Sequence, residues 1–352
     1  MFTKKLCKGL AVIVSTTVFS MSTIQSAFAA PGPLATAPLF LSTIVEPNVY
    51  FTIDDSGSMD WGPMVANGTA GLATSGGLPI IDGDDRAYYN PSFSRLYTSR
   101  GYLPPYGVTA APAATQAEWD RSWVVRNHNA NLNYYNPNVT YSPWPGTNAD
   151  GSPMYTDADP ENALKDPFNP GGQSVDLTER QDWAGYDDVY YIPTYFIWND
   201  DGDGIIEQSD PKTRVEIAAG TSEMKNFANW FQYYRTRINA TKAIIGSTIN
   251  NTDASRMAMR LFNDGILDHY STGDNIHVET MSDPAKKRDL LKSFYEYDIP
   301  AQGTPMRRAL RDTGYYFDDT GSDAPILSAA NGGECQQNFN ILMGDGFWNG
   351  GG

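Results

Sequence analysis

Asn48-Val49-Tyr50-Phe51-Thr52-Ile53, followed at once by Asp54-Asp55-Ser56-Gly57-Ser58-Met59, is the stretch that decides how this chain reads. The first six residues form an apolar, β-branched and aromatic run, which predicts a buried strand. The strand stops at a turn that offers a carboxylate at Asp54 and hydroxyls at Ser56 and Ser58. Spacing of i, i+2 and i+4 can turn these three oxygens toward a common point, and converging hard oxygens suit Mg2+ or Ca2+. An ordinary polar turn uses the same residue types, so on this stretch alone both readings stay open.

Toward the N-terminus the chain reads as an export signal over residues 1–30 and a proline-rich leader over 31–47. Lys4, Lys5 and Lys8 make a basic start, Leu10 to Phe19 an apolar core, and Ala27-Phe28-Ala29 a small-residue cleavage site. That core is too short and too interrupted to span a bilayer. No later stretch reaches transmembrane length, so the mature protein is expected outside the cytoplasm, secreted or held at the cell surface or outer membrane by partners. Removing three lysines and no acids takes the formal charge from -16 to -19. Such a chain repels phosphates and anionic lipid, which excludes nucleic acid as a partner class. Cys7 leaves with the signal, so Cys335 stands alone, either as a small buried hydrophobe or with a partner outside this sequence.

Beyond Met59 the pattern changes. Residues 61–220 carry no sustained helical periodicity, only short aromatic and polar pieces punctuated by turn signals such as Asn136-Pro137 and Pro143-Trp144-Pro145. A structureless loop of that length inside a compact domain is improbable, so the segment is expected to be an inserted, loop-rich module with short strands. Near its end, Tyr190 to Trp198 reads as a strand that runs into Asn199-Asp200-Asp201-Gly202-Asp203-Gly204-Ile205 and on to Asp210. Against a twelve-residue calcium loop, Asn199, Asp201 and Asp203 fall at positions one, three and five, Gly204 at six, the Ile205 carbonyl at seven and Asp210 at twelve. The expectation is a stand-alone Ca2+ loop over 199–210, with a solvated acidic turn as the alternative.

Glu223 to Ile249 reads as one long helix, with Ser222 as N-cap, an apolar face of Phe227, Phe231, Tyr234, Ile238 and Ile245, and Gly246 near its end. Strands follow at Arg256–Phe262 and Asn275–Glu279, and a helix runs from Pro284 to about Tyr297. This order of strand, helix, strand, strand, helix predicts α/β layering with a mostly parallel sheet. Thr304 and Pro305 then read as the N-cap and first position of another helix. Asn338 to Met343 is a further apolar strand, and it too ends at an acid, Asp345. Ligands bind at the carboxyl edge of open α/β sheets, so Asp54, Ser56, Ser58, Thr304 and Asp345 are predicted to assemble one metal site from five oxygen-bearing side chains.

Asp54-x-Ser56-x-Ser58, a separate Thr304 and a strand-terminal Asp345 resemble the metal-ion-dependent adhesion site of von Willebrand factor A domains. More narrowly, the chain resembles the N-terminal region of the type IV pilus adhesin and biogenesis family, PilC/PilY. Ile53 to Met59, Tyr135-Asn136-Pro137, Tyr141-Ser142-Pro143-Trp144, Asn229 to Arg237, Gly303 to Met306 and Asn338 to Trp348 carry that resemblance. It implies an α/β, doubly wound, Rossmann-like A domain over 48–60 and 221–352, with the module at 61–220 inserted after its first strand. It also implies Mg2+, or Mn2+ or Ca2+, at the adhesion site, held so that the ion still accepts a carboxylate from a partner. The expected partners are pilin or minor pilins at the pilus tip and a host or abiotic surface, and the expected roles are pilus assembly, retraction, twitching and adhesion. Only seven residues follow Asp345, so the A domain is expected to be incomplete at its C-terminus.

Two other functions compete. Metal could hold the fold while a partner binds elsewhere, on the aromatic insert. Asp-rich metal sites can also activate water, but no nucleophile-and-base pair accompanies this one. The three histidines, His128, His269 and His277, lie far in sequence from the metal motifs, and the chain is expected not to be an enzyme.

Overall fold

In the computed structural model, strand β1 (Asn48–Ile53) lies between two parallel neighbours. The structure describes residues 45–60, 126–169, 193–206, 210–299 and 302–346, positions 62, 64, 123, 171–172 and 174–179, and the backbone of short strands at 73–75, 78–80, 181–183 and 186–191. The expected export segment, the expected leader as far as Ile44 and the part of the expected insert between 81 and 122 lie outside the described residues.

On one side β1 pairs with β10 (Arg256–Leu261), on the other with β13 (Asn338–Met343), so that Ile53 stands level with both Leu261 and Met343. A strand paired on both edges and covered on both faces needs apolar residues throughout, and Tyr50, Phe51 and Ile53 are all buried. β11 (Gly265–Ile266) and β12 (Glu279–Thr280) pair antiparallel with β10. The sheet is therefore mixed, and Asn275–Glu279 is not the full second strand expected of it. Asn275 makes only an isolated bridge to Asp268, and pairing resumes at Glu279.

Among the described residues four helices clothe this sheet: α1 (Ser222–Tyr233), α2 (Arg237–Asn250), α3 (Pro284–Glu296) and α4 (Met306–Phe317). Phe51 and Ile53 join one core with Phe227, Trp230 and Phe231 of α1, Ile245 and Ile249 of α2, and Leu290, Leu291 and Phe294 of α3. On the opposite face Tyr50 packs with Ala258, Val278 and Tyr316 of α4. Alternation along a single strand thus builds helices on both faces of the sheet. Among the described residues no helix is long and apolar enough to cross a membrane.

The expected single helix over 223–249 is two. Its apolar periodicity is continuous, but Tyr234 ends α1 and Thr236 adopts an extended backbone, where its hydroxyl accepts from Asn239 N at 3.3 Å. Side-chain capping has overridden periodicity. Thr221, not Ser222, caps α1 by accepting from Met224 N at 3.1 Å. Gly246 lies inside α2 rather than ending it, because any larger residue there would drive its Cβ into the Tyr295 hydroxyl.

The described insert is built from short hairpins: β2–β3 (Ala73–Ser75, Leu78–Ile80), β4–β5 (Ala163–Leu164, Ser174–Val175), β6–β7 (Gln181–Trp183, Tyr186–Tyr191) and β8–β9 (Thr194–Trp198, Lys212–Glu216). Its irregular part wraps α1. Asn229 donates to Tyr141 O and accepts from Ala158 N, Gln232 accepts from Leu164 N, and Trp230 Nε1 donates to Asn133 O. Tyr134, Tyr135, Trp144, Val175 and Leu177 belong to the same core as Phe51 and Ile53. Polar side chains of α1 thus serve as the hydrogen-bond partners that an irregular buried backbone requires. Cys335 is exposed and carries no disulfide, which removes its reading as a buried hydrophobe.

Candidate metal centre

Because β1 and β13 run parallel and in register, their last residues leave the sheet at the same edge. Asp54 N donates to Met343 O at 2.9 Å, the final rung between them. β10 and β13 both follow β1 in sequence yet flank it on opposite sides. The crevice between β1 and β13 is therefore a topological switch point, where α/β sheets place ligands. Gly344 allows the approach. A Cβ on it would sit 3.2 Å from Asp54 Oδ2 and 3.3 Å from Met306 Cε.

Four of the five predicted oxygen donors are joined there by hydrogen bonds. Asp54 Oδ1 accepts from Ser56 N at 2.9 Å, and its Oδ2 lies 3.4 Å from Asp345 N. The Ser56 and Ser58 hydroxyls are 3.0 Å apart, and Ser58 Oγ donates to Asp345 Oδ1 at 3.2 Å. Thr304 is buried on the adjoining loop, which is stitched to the serine turn by Gly57 N donating to Gln302 O at 3.1 Å. Contrary to the N-cap expectation, Thr304 makes no cap. Helix α4 begins at Met306, Pro305 holds a non-helical ψ of 52°, and no side chain caps the end. Asp55 serves a different purpose. It accepts from Asn263 N and Nδ2 and from the Tyr297 hydroxyl, fastening the turn to the end of β10 and to the residue after α3.

Burial pushes the Asp54 carboxyl above the usual carboxylate range, the Ser56 hydroxyl and amide draw it back, and the nearby Asp345 carboxylate pushes it up again. Asp54 is fully buried, and no Lys, Arg or His among the described residues pairs with it. Arg237, the first residue of α2, instead places Nη1 2.5 Å from Asp345 Oδ2. The centre thus sets a fully buried carboxylate and a partly buried one against one described guanidinium. A buried anion without a counter-charge is costly, and two carboxylates beside uncharged hydroxyls form a hard donor set. These residues fit a divalent cation, with Asp54, Ser56, Ser58, Thr304 and Asp345 as the groups to hold it.

The second predicted site occupies the tip of the β8–β9 hairpin. Asp200, Asp201 and Asp203 gather there, with one carboxylate oxygen from each within 4.8 Å of the others, all exposed. Gly202 and Gly204 take positive φ angles of 112° and 74°, and both donate to Asp200 Oδ1. Those bonds hold the Asp200 carboxyl below the usual range. Ile205 N donates to Asp203 Oδ1. Asn199 turns to Thr213 Oγ1 at 3.2 Å, and buried Asp210 accepts from Trp198 Nε1 at 2.8 Å. The structure therefore gathers Asp201 and Asp203 with Asp200 and sets Asn199 and Asp210 on hairpin bonds.

With this geometry in place, three relatives bear on identity. The type IV pilus biogenesis factor PilY1 of Pseudomonas aeruginosa strain PAK is 26% identical over 339 residues, covering 92% of this chain and 26% of the relative. PilY1 of strain PAO1 is 25% identical over 341 residues, and that of strain UCBPP-PA14 26% over 344 residues, each again covering 26% of the relative. The chain is similar to these PilC/PilY-family proteins over nearly all of its own length. It spans about a quarter of the length of the relatives it matches. No family model and no solved structure matches it.

In this chain four residues of the centre escape a reading by ligand spacing: Arg237, Gly344, Asn263 and Tyr297. Asn263 carries a usable signal, since it closes β10 at the edge where Asp54 and Asp345 close their strands. Arg237 carries none in its spacing, because its position depends on a helix break that periodicity hides.

Proposed function

We propose that this chain is part of a type IV pilus-associated protein that holds a divalent cation at the carboxyl edge of its sheet and, through it, an acidic group on a partner. The observation that carries this reading is the linked set of Asp54, Ser56, Ser58 and Asp345 around a fully buried carboxylate with no described basic partner. Neutral hydroxyls bind a cation without cancelling its charge, which leaves it able to attract an anion. Ser58 is only half-buried and leaves the centre one open side. The doubly wound sheet of the A-domain type, Mg2+ or Mn2+ as the ion, and export to the cell surface or pilus all belong to this reading. So do a non-enzymatic role in pilus assembly, retraction and adhesion, and pilin, minor pilins or a host or abiotic surface as partners. At the β8–β9 tip we propose Ca2+ as a brace, supported by the three clustered carboxylates.

A second reading has its own support. Asp54, Ser56 and Thr304 are buried, as for an ion that only holds the fold. Binding of the mature protein to a pilus-tip preparation, with and without EDTA, separates the two. Adhesion through the ion predicts that EDTA and Asp54→Ala each abolish binding. If metal raises the melting temperature while binding ignores both treatments, the structural reading stands instead.

A further inference from the structure

Arg237 is the one cation described at the centre, and its position is built rather than incidental. The break at Tyr234–Thr236 makes it the first residue of α2, where Thr236 is fixed by its bond from Asn239 N. Its side chain is 7% exposed and that of Asp345 11% exposed, so the pair is shielded from solvent. The guanidinium sits against one carboxylate oxygen, Oδ2, at 2.5 Å. The other, Oδ1, faces the Ser58 hydroxyl and through it Ser56. Asp345 is thus divided between an arginine on one side and the hydroxyl-lined centre on the other.

Charge counting gives this division a consequence. Asp54 and Asp345 alone would neutralise a divalent cation and leave it little attraction for a further anion. With Arg237 fixed beside Asp345, the same set carries one net positive charge when the ion is bound. A nearby positive charge repels the incoming cation and attracts an incoming anion, and burial strengthens both effects. We infer that Arg237 is a positioning residue that sets the charge of this centre: it weakens cation binding in order to strengthen binding of a partner carboxylate. The inference rests on the cation-binding function proposed above and names the residue that tunes it.

The test uses Mn2+ as the metal probe and acetate as the carboxylate probe, on the full mature chain. Mn2+ affinity is read by electron paramagnetic resonance, and acetate binding by its displacement of water from bound Mn2+ in proton-relaxation measurements. Arg237→Gln is expected to bind Mn2+ about tenfold more tightly and acetate about tenfold more weakly, while Arg237→Lys, which keeps the charge, restores both toward wild type. Opposite signs are the signature, because a merely structural role would weaken the two together. Mn2+ binding to Arg237→Gln that is equal to or weaker than wild type overturns the inference and leaves the metal centre standing. A wild-type chain that takes up no Mn2+, or takes it up equally after Asp54→Ala, overturns the metal centre itself. Should Arg237→Gln not fold, as circular dichroism would show, Arg237→Met and Arg237→Lys supply the same neutral-against-charged comparison.

Discussion

At the residue scale the centre turns on a buried carboxylate. Asp54 is wholly enclosed, and its raised carboxyl means that the folded protein holds this proton more tightly than the unfolded chain does. The penalty of ionising it is absent in acid and sets in as pH rises from the ordinary carboxylate range through the raised one. Asp54→Asn keeps an oxygen to accept from Ser56 N and removes the charge. In EDTA at neutral pH this variant is expected to melt a few degrees above wild type, since about 1 kcal/mol corresponds to about 2–4 °C in a domain of this size. The gap should close as the pH falls, and with Mg2+ the order should reverse, because only wild type gains from the ion. Thermal melts across pH, with and without Mg2+, check this, and a variant less stable than wild type in neutral EDTA would contradict it. The proximity of Asp54, Ser56 and Ser58 was legible in the sequence because their spacing at a strand end is local. Arg237 and Gly344 were not, since the role of each depends on what another segment brings against it.

At the scale of elements, the three parallel strands were legible nearly to the residue and the break between α1 and α2 was not. β1, β10 and β13 follow from apolar runs that have no other use, whereas the boundary between α1 and α2 rests on one threonine hydroxyl. Thr236→Ala removes that cap and should cost about 1 kcal/mol, the usual worth of such a bond. Chemical denaturation would read the loss as a lower midpoint at unchanged slope. Gly246 makes a second case. Tyr295 stacks on Trp144 with centroids 5.0 Å apart, and its hydroxyl donates to Pro145 O at 2.8 Å, so the ring cannot yield to a methyl group on α2. Helix propensity favours Gly246→Ala by about 1 kcal/mol, but overpacking at a fixed neighbour costs about 1–3 kcal/mol. The variant should be less stable than wild type in the same denaturation experiment, and a net gain would show that α2 and α3 can separate cheaply.

At the scale of the whole molecule, the α/β layering was legible from the order of elements, but the unity of the core was not. A 160-residue segment without periodicity reads as a separate module, yet Tyr134, Tyr135 and Trp144 within it are packed among the sheet and helix residues. Aromatic side chains in irregular backbone have no period to betray which face they bury, so only the fold reveals their place. The reverse holds for β13, an apolar run that is mostly exposed, with Phe339 50%, Ile341 41% and Leu342 38% accessible. Among the described residues β1 is its sole strand partner. An apolar strand with one open edge invites pairing with another chain. The chain from residue 31 onward is therefore expected to self-associate as its concentration rises. Ile341→Lys places on that strand a charge whose flexible stem can still lie along apolar surface, and it should shift the equilibrium toward monomer while leaving the centre at Asp54 and Asp345 in place. Sedimentation velocity over a concentration series reads the first effect and Mn2+ affinity the second. Association that is unchanged in Ile341→Lys would mean that a different surface drives it.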